Sequence, residues 1–156
     1  MNLNDVKNSL LIWGPISTKG LSQIKEEGCL VVVPENRPWM IGLRHNVPLL
    51  KKEDIPSVYC TDNMLGLLFY REKVKKTLLF YKKQKKEGII GISGSLYVAL
   101  LSRLHQIPIV IVDQGELDLD SSDKDAASLG GEKYILGQDD SVIAADDELV
   151  EWGLLK

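Results

Sequence analysis

The sequence has few cysteines, few aromatic residues and no long apolar run. Its two cysteines, Cys29 and Cys60, cannot build the framework of several disulfides that holds small secreted domains together. No apolar run approaches the roughly 18 residues that a membrane-spanning helix needs. The N-terminus lacks the basic-then-apolar layout of a signal peptide. We therefore expect a cytoplasmic protein that does not bind a membrane.

An excess of positive charge and a metal-ligand pattern are also lacking. The 19 lysine and arginine residues are outnumbered by 22 aspartate and glutamate residues, which gives a formal net charge of −3 at pH 7. That balance argues against a general nucleic-acid binder, and we expect no binding to DNA. His45 and His105 lie far from any cysteine pair, so we expect neither a metal nor a cofactor.

Short apolar runs alternate with amphipathic segments along the chain. The apolar runs are predicted strands at residues 10–13, 28–33, 55–60, 77–80 and 108–112, and the segments between them are predicted helices at residues 18–27, 39–52, 61–72 and 93–106. Continuous apolar strands are typical of a parallel sheet covered on both faces, and their alternation with helices indicates βαβ units. We therefore predict one α/β domain over residues 1–156, a Rossmann-like three-layer parallel sheet.

Local signals refine these elements. Ser17 or Thr18 is the expected cap of the first helix, and Gly28 its stop. Pro48 should end or kink the second helix. The fourth helix is predicted to have one apolar face, formed by Leu96, Ala99, Leu100 and Leu104.

Three further segments have a less regular pattern. Residues 81–92 are a predicted loop with several lysines. Residues 114–140 are rich in acidic and small residues, which predicts a long, mobile acidic loop. Residues 141–144 are a predicted edge strand, and residues 147–154 a final helical turn.

Polar turns follow the second and third predicted strands. Glu35, Asn36 and Arg37 come after the strand at residues 28–33, and Asp62 and Asn63 come after the strand at residues 55–60. The carboxyl ends of neighbouring parallel strands meet at one edge of the sheet, and open α/β sheets bind their ligands there. We therefore expect these five residues to form a ligand site.

Each of these residues has a structural alternative. Arg37 could hold a phosphate through two oxygens, or it could form a salt bridge to Glu35 or Asp62 that joins the two turns. Asp62 could act as a general acid–base, or it could cap the helix that it precedes, and Asn63 has the same ambiguity. Glu35 could accept hydrogen bonds from ribose hydroxyls, or it could pair with Arg37.

Other features extend the candidate site. Arg44 lies two helical turns beyond Arg37, so it could face the same ligand or be a solvated helix residue. Lys82 directly follows a strand and is expected to point towards the site. Residues 91–95 could bind an anion at a helix start or simply begin a helix. Seven lysines between Lys73 and Lys86 could dock RNA or an acidic protein, or could be a solvated loop.

Two motifs at a fixed spacing resemble a known family. Residues 35–44 read Glu-Asn-Arg-Pro-Trp-Met-Ile-Gly-Leu-Arg, and residues 61–64 read Thr-Asp-Asn-Met. The pair resembles the C-terminal domain shared by methylthioribose-1-phosphate isomerase, ribose-1,5-bisphosphate isomerase and the alpha, beta and delta subunits of eukaryotic initiation factor two-B. The resemblance covers roughly residues 17–112. It implies a Rossmann-like domain, pairing into homodimers and an ancestral site for phosphorylated sugars or nucleotides.

The chain departs from that family where its isomerases carry out chemistry. The resemblance implies a catalytic cysteine near residues 13–15, where this chain has Trp-Gly-Pro, and an aspartate in a Gly-Ala-Asp-Arg sequence after the fourth strand, where it has Tyr-Lys-Lys. The family's Asn-Lys pair falls near residues 92–93 with a gap of one residue. The family's helical N-terminal domain has no counterpart in this sequence.

Three functions follow as hypotheses. The first is a stand-alone, non-catalytic family member that binds a phosphorylated sugar or nucleotide at the two polar turns. The second is an active sugar-phosphate isomerase that converts an aldose to a ketose, with Asp62 as acid–base and Lys82 or Arg37 as the phosphate ligand. The third is an RNA- or protein-binding module that uses the lysines.

Overall fold

The computed structural model describes residues 1–116 and 147–156. Its strands are β1 (Ser9–Trp13), β2 (Val31–Pro34), β3 (Ser57–Cys60), β4 (Val74–Tyr81), β5 (Lys83–Gln84), β6 (Gly88–Gly91), β7 (Ile109–Asp113) and β8 (Glu148–Glu151). Five of them form a sheet in the order β3-β2-β1-β4-β7, in which every neighbouring pair is parallel. The predicted parallel sheet is therefore confirmed.

Four α-helices join the strands: α1 (Thr18–Glu27), α2 (Val47–Lys52), α3 (Met64–Tyr70) and α4 (Ser95–Leu104). The predicted ends of α1 are confirmed. The Ser17 hydroxyl accepts a hydrogen bond of 3.2 Å from the backbone N–H of Gly20, and Gly28 ends the helix with a left-handed φ of 58°. Glycine adopts this φ without the steric penalty that other residues have, so it suits a helix stop.

The helices lie on both faces of the sheet. Leu10 and Ile12 of β1 belong to a core cluster with Ile24 of α1 and Leu50 of α2. The alternate residues of the same strand belong to a second cluster, with side chains from α3 and α4: Leu11, Trp13, Leu65, Leu68, Phe69, Val98 and Ala99. Because side chains alternate across a strand, this division shows three layers, and the fold is α/β as predicted.

A small antiparallel sheet, in the order β5-β6-β8, lies beside the main one. It corrects two predictions, because residues 81–92 contain a hairpin and not only a loop, and residues 148–151 are a strand. Ile89 of β6 pairs with Val150 of β8, and both are fully buried. Only the end of the predicted final helix is helical, as a 3₁₀ turn at Trp152–Leu154. The pairing joins residues about 60 positions apart, so no local pattern revealed it.

The predicted second helix is shorter than expected. Residues 37–40 form a turn, Gly42–Asn46 is a π-helical turn, and α2 follows it directly. Pro48 lies in the first turn of α2, directly after the π-helical turn, and does not end the helix there. Gly42 is required, since a Cβ atom there would lie 1.7 Å from the carbonyl oxygen of Pro34.

The predicted apolar face of α4 is buried only at Ala99, and its three leucines are exposed. Val98, Ala99 and Ser102 are buried, and the Ser102 hydroxyl lies 2.9 Å from that of Thr77 on β4. The leucines of the predicted face are partly or largely exposed, with Leu104 at 74 %. Small side chains let α4 approach the sheet closely, so the larger leucines lie outside.

Other predictions fall outside the described residues. Apart from residues 114–116, the acidic segment at residues 114–140 is not among them, and neither is the edge strand at residues 141–144. In the part of the chain that the structure describes, no helix is long and apolar enough to cross a membrane.

Candidate functional site

The turns that follow β2 and β3 lie side by side. Pro34 pairs with Cys60 at the carboxyl ends of these strands. One carboxylate oxygen of Asp62 accepts a hydrogen bond of 2.9 Å from the backbone N–H of Asn36, and the other accepts one of 2.8 Å from the backbone N–H of Arg37. The Asp62 side chain therefore joins the two turns.

Glu35 is nearly buried in the same cluster. Its Oε2 accepts a hydrogen bond of 3.0 Å from Nε of Arg37, so the salt bridge predicted for Arg37 is present. Its Oε1 accepts one of 3.1 Å from the hydroxyl of Tyr59. The sequence did not single out Tyr59, because an aromatic residue inside an apolar run is typical of any strand.

The cluster has a surplus of negative charge. Among residues 1–116 and 147–156 it holds the carboxyl groups of Glu35 and Asp62 and the guanidinium of Arg37. Burial raises the pKa of Asp62, although the two backbone N–H groups act in the opposite direction. The hydrogen bond to Glu35 raises the pKa of Arg37, so the guanidinium stays charged. This balance disfavours a phosphate and favours a donor or a cation.

The neighbouring thiol of Cys60 does not add a nucleophile. Burial, together with the nearby carboxylates of Asp62 and Glu35, raises its pKa to about 12. A thiol with this pKa is protonated at neutral pH, and the protonated form is a poor nucleophile and a poor metal ligand. Among the described residues, no group of three or more His, Cys, Asp or Glu side chains could hold a metal ion.

Two buried asparagines hold the loop that follows β1. Asn36 is 1 % exposed, and its Oδ1 accepts a hydrogen bond of 3.1 Å from the backbone N–H of Gly14. Asn46, which the sequence did not single out, donates to the Gly14 carbonyl at 3.0 Å and accepts from the Ile16 N–H at 3.0 Å. Asn36 is therefore placed to position this loop, at the point where the resemblance implied a catalytic cysteine.

Of the two alternatives for Asp62, the helix cap is not the one present. α3 begins at Met64, and the residue before it, Asn63, makes no side-chain cap hydrogen bond. The carboxylate of Asp62 is already engaged by the turn after β2. Asn63 is exposed beside it and accepts a hydrogen bond from the hydroxyl of Thr61.

A carboxylate near the carboxyl end of the chain caps the start of α4. Glu148 of β8 accepts hydrogen bonds from the backbone N–H of Gly94 at 2.8 Å and from that of Leu96 at 3.0 Å. The first N–H groups of a helix have no partner within the helix and attract anions. Of the two alternatives for residues 91–95, the capped helix start is the one present. The sequence missed Glu148, because 54 positions separate it from Gly94.

The cationic candidates lie in different places. Lys82 follows β4 as predicted and forms an ion pair with Asp147. Lys75 and Lys76 lie near the opposite end of β4, where both pair with Glu27, so the seven lysines do not form one patch. Arg44 is exposed on the π-helical turn.

The comparisons with known proteins agree with this fold. The model of the initiation factor 2 subunit family matches residues 18–117. The chain belongs to the initiation factor 2 subunit family. Methylthioribose-1-phosphate isomerase from Oleidesulfovibrio alaskensis is 32 % identical over 94 residues, which are 60 % of this chain and 26 % of that protein. A putative methylthioribose-1-phosphate isomerase from Methanosphaera stadtmanae is 30 % identical over 81 residues, which are 52 % of this chain and 26 % of that protein.

Solved structures with the family's fold match most of the chain. The delta subunit of translation initiation factor eIF-2B from A. fulgidus has a TM-score of 0.77 at 15 % identity, over 98 % of this chain and 52 % of that one. The 5-methylthioribose 1-phosphate isomerase from Pyrococcus horikoshii has a TM-score of 0.74 at 14 % identity, over 96 % of this chain and 48 % of that one. A tetrameric eIF2B-beta2-delta2 complex from C. thermophilum has a TM-score of 0.53 at 16 % identity, over 67 % and 37 %.

The chain covers only part of the length of its relatives. It spans about a quarter of the length of the curated relatives described above and about half of the two chains with the higher TM-scores. The resemblance found in the sequence is thereby confirmed at the level of family and fold.

Proposed function

We propose that the protein is a non-catalytic member of its family that works by assembling with a second copy of its own chain. One observation carries this proposal: the chain's own carboxylates fill two anion-binding positions of the fold. Asp62 occupies the N–H groups of the turn after β2, and Glu148 occupies those at the start of α4. A substrate phosphate would have to displace a carboxylate at either place.

The loops after β1 and β4 contain few side chains that could take part in an isomerase reaction. Conversion of an aldose to a ketose needs a group that moves a proton between neighbouring carbons. The loop after β1 offers Gly14 and Pro15, and its backbone is held by buried asparagines. The residue after β4 is Lys82, which is paired with Asp147.

A phosphorylated sugar or nucleotide at the polar turns is a weaker proposal. Arg37 already has a partner within the turns, Oδ1 of Asn36 is engaged by the loop after β1, and the described residues of the cluster carry more negative than positive charge. Asn63, Arg44 and Lys82 would be the remaining ligands for such a molecule. Binding to RNA or an acidic protein through the lysines is also weaker, since β4 separates them into two groups.

An exposed apolar surface supports assembly. We call it the α3–α4 face, and its six side chains are 38 % to 74 % exposed: Leu67, Tyr70, Leu96, Tyr97, Leu100 and Leu104. α3 and α4 pack against each other, so the side chains form one surface. Exposed apolar patches of this kind mark interaction sites. Because one of the similar structures is a complex of several chains, a second copy is the occupant that we favour.

One observation favours the isomerase as a second candidate. Burial raises the pKa of Asp62, and a carboxyl group with a raised pKa can act as a general acid.

The two free cysteines suit a reducing compartment, and we retain the cytoplasm as the proposed location.

An activity assay tests the non-catalytic proposal. The full chain is incubated with methylthioribose 1-phosphate, and the formation of the ketose product is followed by NMR, with an active isomerase as the positive control. We expect no turnover. Turnover that disappears in Asp62→Asn would show that the isomerase hypothesis is the right one.

Light scattering on a size-exclusion column tests the assembly proposal. We expect a mass of twice 17.4 kDa at micromolar concentration. A mass of one chain at every accessible concentration would contradict the assembly proposal and leave the question of catalysis to the activity assay.

A further inference from the structure

A cavity of about 600 Å³ lies between the carboxyl end of α4 and residues 154–156. Its lining includes Ile109, the first residue of β7, so the cavity is at the amino edge of the main sheet. The polar turns lie at the opposite, carboxyl edge, and none of Glu35, Arg37 and Asp62 lines the cavity. Its volume is within the range of small-molecule sites, which is roughly 300–1,000 Å³. The cavity is therefore separate from the candidate site described above.

Much of the lining is apolar. It comes from the segment that leads into β7, with Ile107, Pro108 and Ile109, and from Leu154 and Leu155. The two isoleucines and the two leucines are half-buried and pack against the core on one side, so their remaining surface is held in place. A hydrocarbon group in the cavity would remove that surface from water, which is favourable.

The charged side chains of the lining are cationic. Arg103 and Lys156 are both exposed and line the cavity, and the lining residues that the structure describes include no aspartate or glutamate. The carboxyl end of α4 contributes the negative end of a helix dipole, which is worth about half a charge and offsets only part of the positive charge. The cavity therefore suits an anion, and its apolar lining suits an anion with a hydrocarbon body.

A hydrogen bond connects the two segments that line the cavity. Nη1 of Arg103 donates to the backbone carbonyl of Lys156 at 2.6 Å, which joins α4 to residues 154–156. A guanidinium carries five N–H donors in a planar fork, so this one hydrogen bond leaves donors for both oxygens of a carboxylate. A site whose walls are already connected loses little conformational entropy when a ligand binds.

Gln106 lines the cavity from a backbone conformation that favours glycine. It follows the end of α4 with a φ of 56°, and the N–H of Ile107 donates to the Ser102 carbonyl at 2.8 Å. This is the Schellman arrangement of a helix end, in which glycine is usual because a side chain is strained there. A glycine would leave the cavity without the side-chain amide, which is a second donor beside Arg103.

We propose that this cavity binds a small monocarboxylate with an apolar body, of the medium-chain fatty acid type. The carboxylate pairs with the guanidinium of Arg103 and accepts a hydrogen bond from the amide of Gln106, and the hydrocarbon chain packs on Ile107 and Leu155. None of the six side chains of the α3–α4 face lines the cavity. The inference therefore does not depend on assembly with a second copy or on the absence of catalysis.

Thermal unfolding of the full chain tests the binding. The probes are octanoate, 1-octanol and acetate at the same millimolar concentration. We expect octanoate to raise the Tm in proportion to ln(1 + [L]/Kd), and the alcohol and acetate to raise it much less, because each lacks one half of the proposed contact. The absence of a shift with octanoate, or an equal shift with 1-octanol, would overturn the proposal.

A charge variant tests the role of the guanidinium. Arg103→Gln removes the ion pair with the carboxylate, so we expect at least about tenfold weaker binding of octanoate. Arg71→Gln is the matched control, because Arg71 is an exposed arginine at the end of α3 and does not line the cavity. Equal affinities of the two variants for octanoate would overturn the proposal.

A pair of glycine variants tests the role of the amide. Gln106→Gly should raise the Tm without ligand, because it relieves the strained φ, and should weaken octanoate binding about fivefold. Glu72 ends α3 in the same way, with a φ of 54° and a hydrogen bond of 2.9 Å from the Lys73 N–H to the Leu68 carbonyl, but it is outside the cavity. Glu72→Gly should therefore raise the Tm and leave binding unchanged. Equal octanoate affinities of these two variants would contradict the contact with Gln106.

Amide NMR of the unaltered chain locates the ligand without any substitution. Octanoate should shift the signals of Gln106, Ile107 and Leu155. Shifts confined to Tyr70 and Leu100 would show that the hydrocarbon chain binds the exposed α3–α4 face instead, and would overturn the proposal.

Discussion

The carboxylate of Glu148 accepts a hydrogen bond of 2.8 Å from the backbone N–H of Gly94, at the start of α4. Its second oxygen accepts from Leu96 at 3.0 Å. The contact connects the small sheet to a helix of the main layer, and it places a negative charge at the positive end of the helix dipole.

Replacement of Glu148 by alanine should destabilise the protein. The change removes both hydrogen bonds and leaves two N–H groups of the helix without a partner, which should lower the free energy of unfolding by about 1–2 kcal/mol. Urea unfolding followed by circular dichroism measures the change. Glu151→Ala is the control, because this exposed residue lies on the same strand. Equal effects of the two variants would show that the contact at α4 does not matter.

The pH dependence of stability should identify Asp62. Burial raises its pKa in the folded protein above the unfolded value of about 3.9. Such a group contributes stability below the unfolded pKa and loses that contribution as the pH rises through the folded pKa. The free energy of unfolding should therefore fall with rising pH above about 4, relative to that of Asp62→Asn.

Urea unfolding at a series of pH values measures this difference. Asp54→Asn is the control, because Asp54 is an exposed aspartate outside the two polar turns. If the profiles of Asp62→Asn and the unaltered protein run parallel, the ionisation of Asp62 does not differ between the folded and unfolded states.

Replacement of Leu100 by lysine should separate the proposed dimer. Leu100 belongs to the α3–α4 face and is 48 % exposed, so a charge there would be buried by a second copy but solvated in a single chain. We expect at least a roughly tenfold weaker association in sedimentation experiments, with an unchanged Tm of the dilute protein. Lys51→Glu, on α2 at the other side of the sheet, should leave association unchanged. Dimers of equal strength in Leu100→Lys would place the interface elsewhere.

Two glycine substitutions should have opposite effects. A Cβ atom at Gly42 would lie 1.7 Å from the carbonyl oxygen of Pro34, and this backbone atom cannot move without disturbing β2. Gly42→Ala should therefore destabilise the protein by about 3 kcal/mol. A Cβ atom at Gly66, inside α3, meets nothing within 4 Å. Gly66→Ala should stabilise by up to about 1 kcal/mol, since alanine favours a helix. Thermal unfolding of the two variants measures both changes, and similar Tm values would contradict the steric argument at Gly42.

The main sheet and the contact between its polar turns could be predicted from the sequence. The strands are continuous apolar runs, and residues that follow neighbouring parallel strands must lie close together. This reasoning brought Glu35, Arg37 and Asp62 together without any knowledge of side-chain contacts. It did not predict that both carboxylate oxygens of Asp62 accept hydrogen bonds from the turn after β2. An aspartate just before a helix more commonly caps that helix.

The remaining differences arise from contacts between distant residues. β6 becomes a strand because β8 pairs with it, and Glu148 reaches α4 only because of that pairing. The buried face of α4 was mistaken for a similar reason. The hydrophobic period selects Ala99 together with three leucines, whereas the close approach to β4 buries Ala99 and Ser102 and leaves the leucines outside.

The lysines near the amino end of β4 and those of the β5–β6 hairpin lie at opposite ends of the strand. Lys75 and Lys83 are eight residues apart, a span of roughly 25 Å along an extended chain. A small anion can therefore contact only one of the two groups of lysines. A polymer that lies along β4 could contact both. Because the single carboxylate of Glu27 pairs with both Lys75 and Lys76 and offsets one of their two charges, such a polymer would be bound less strongly at the amino end.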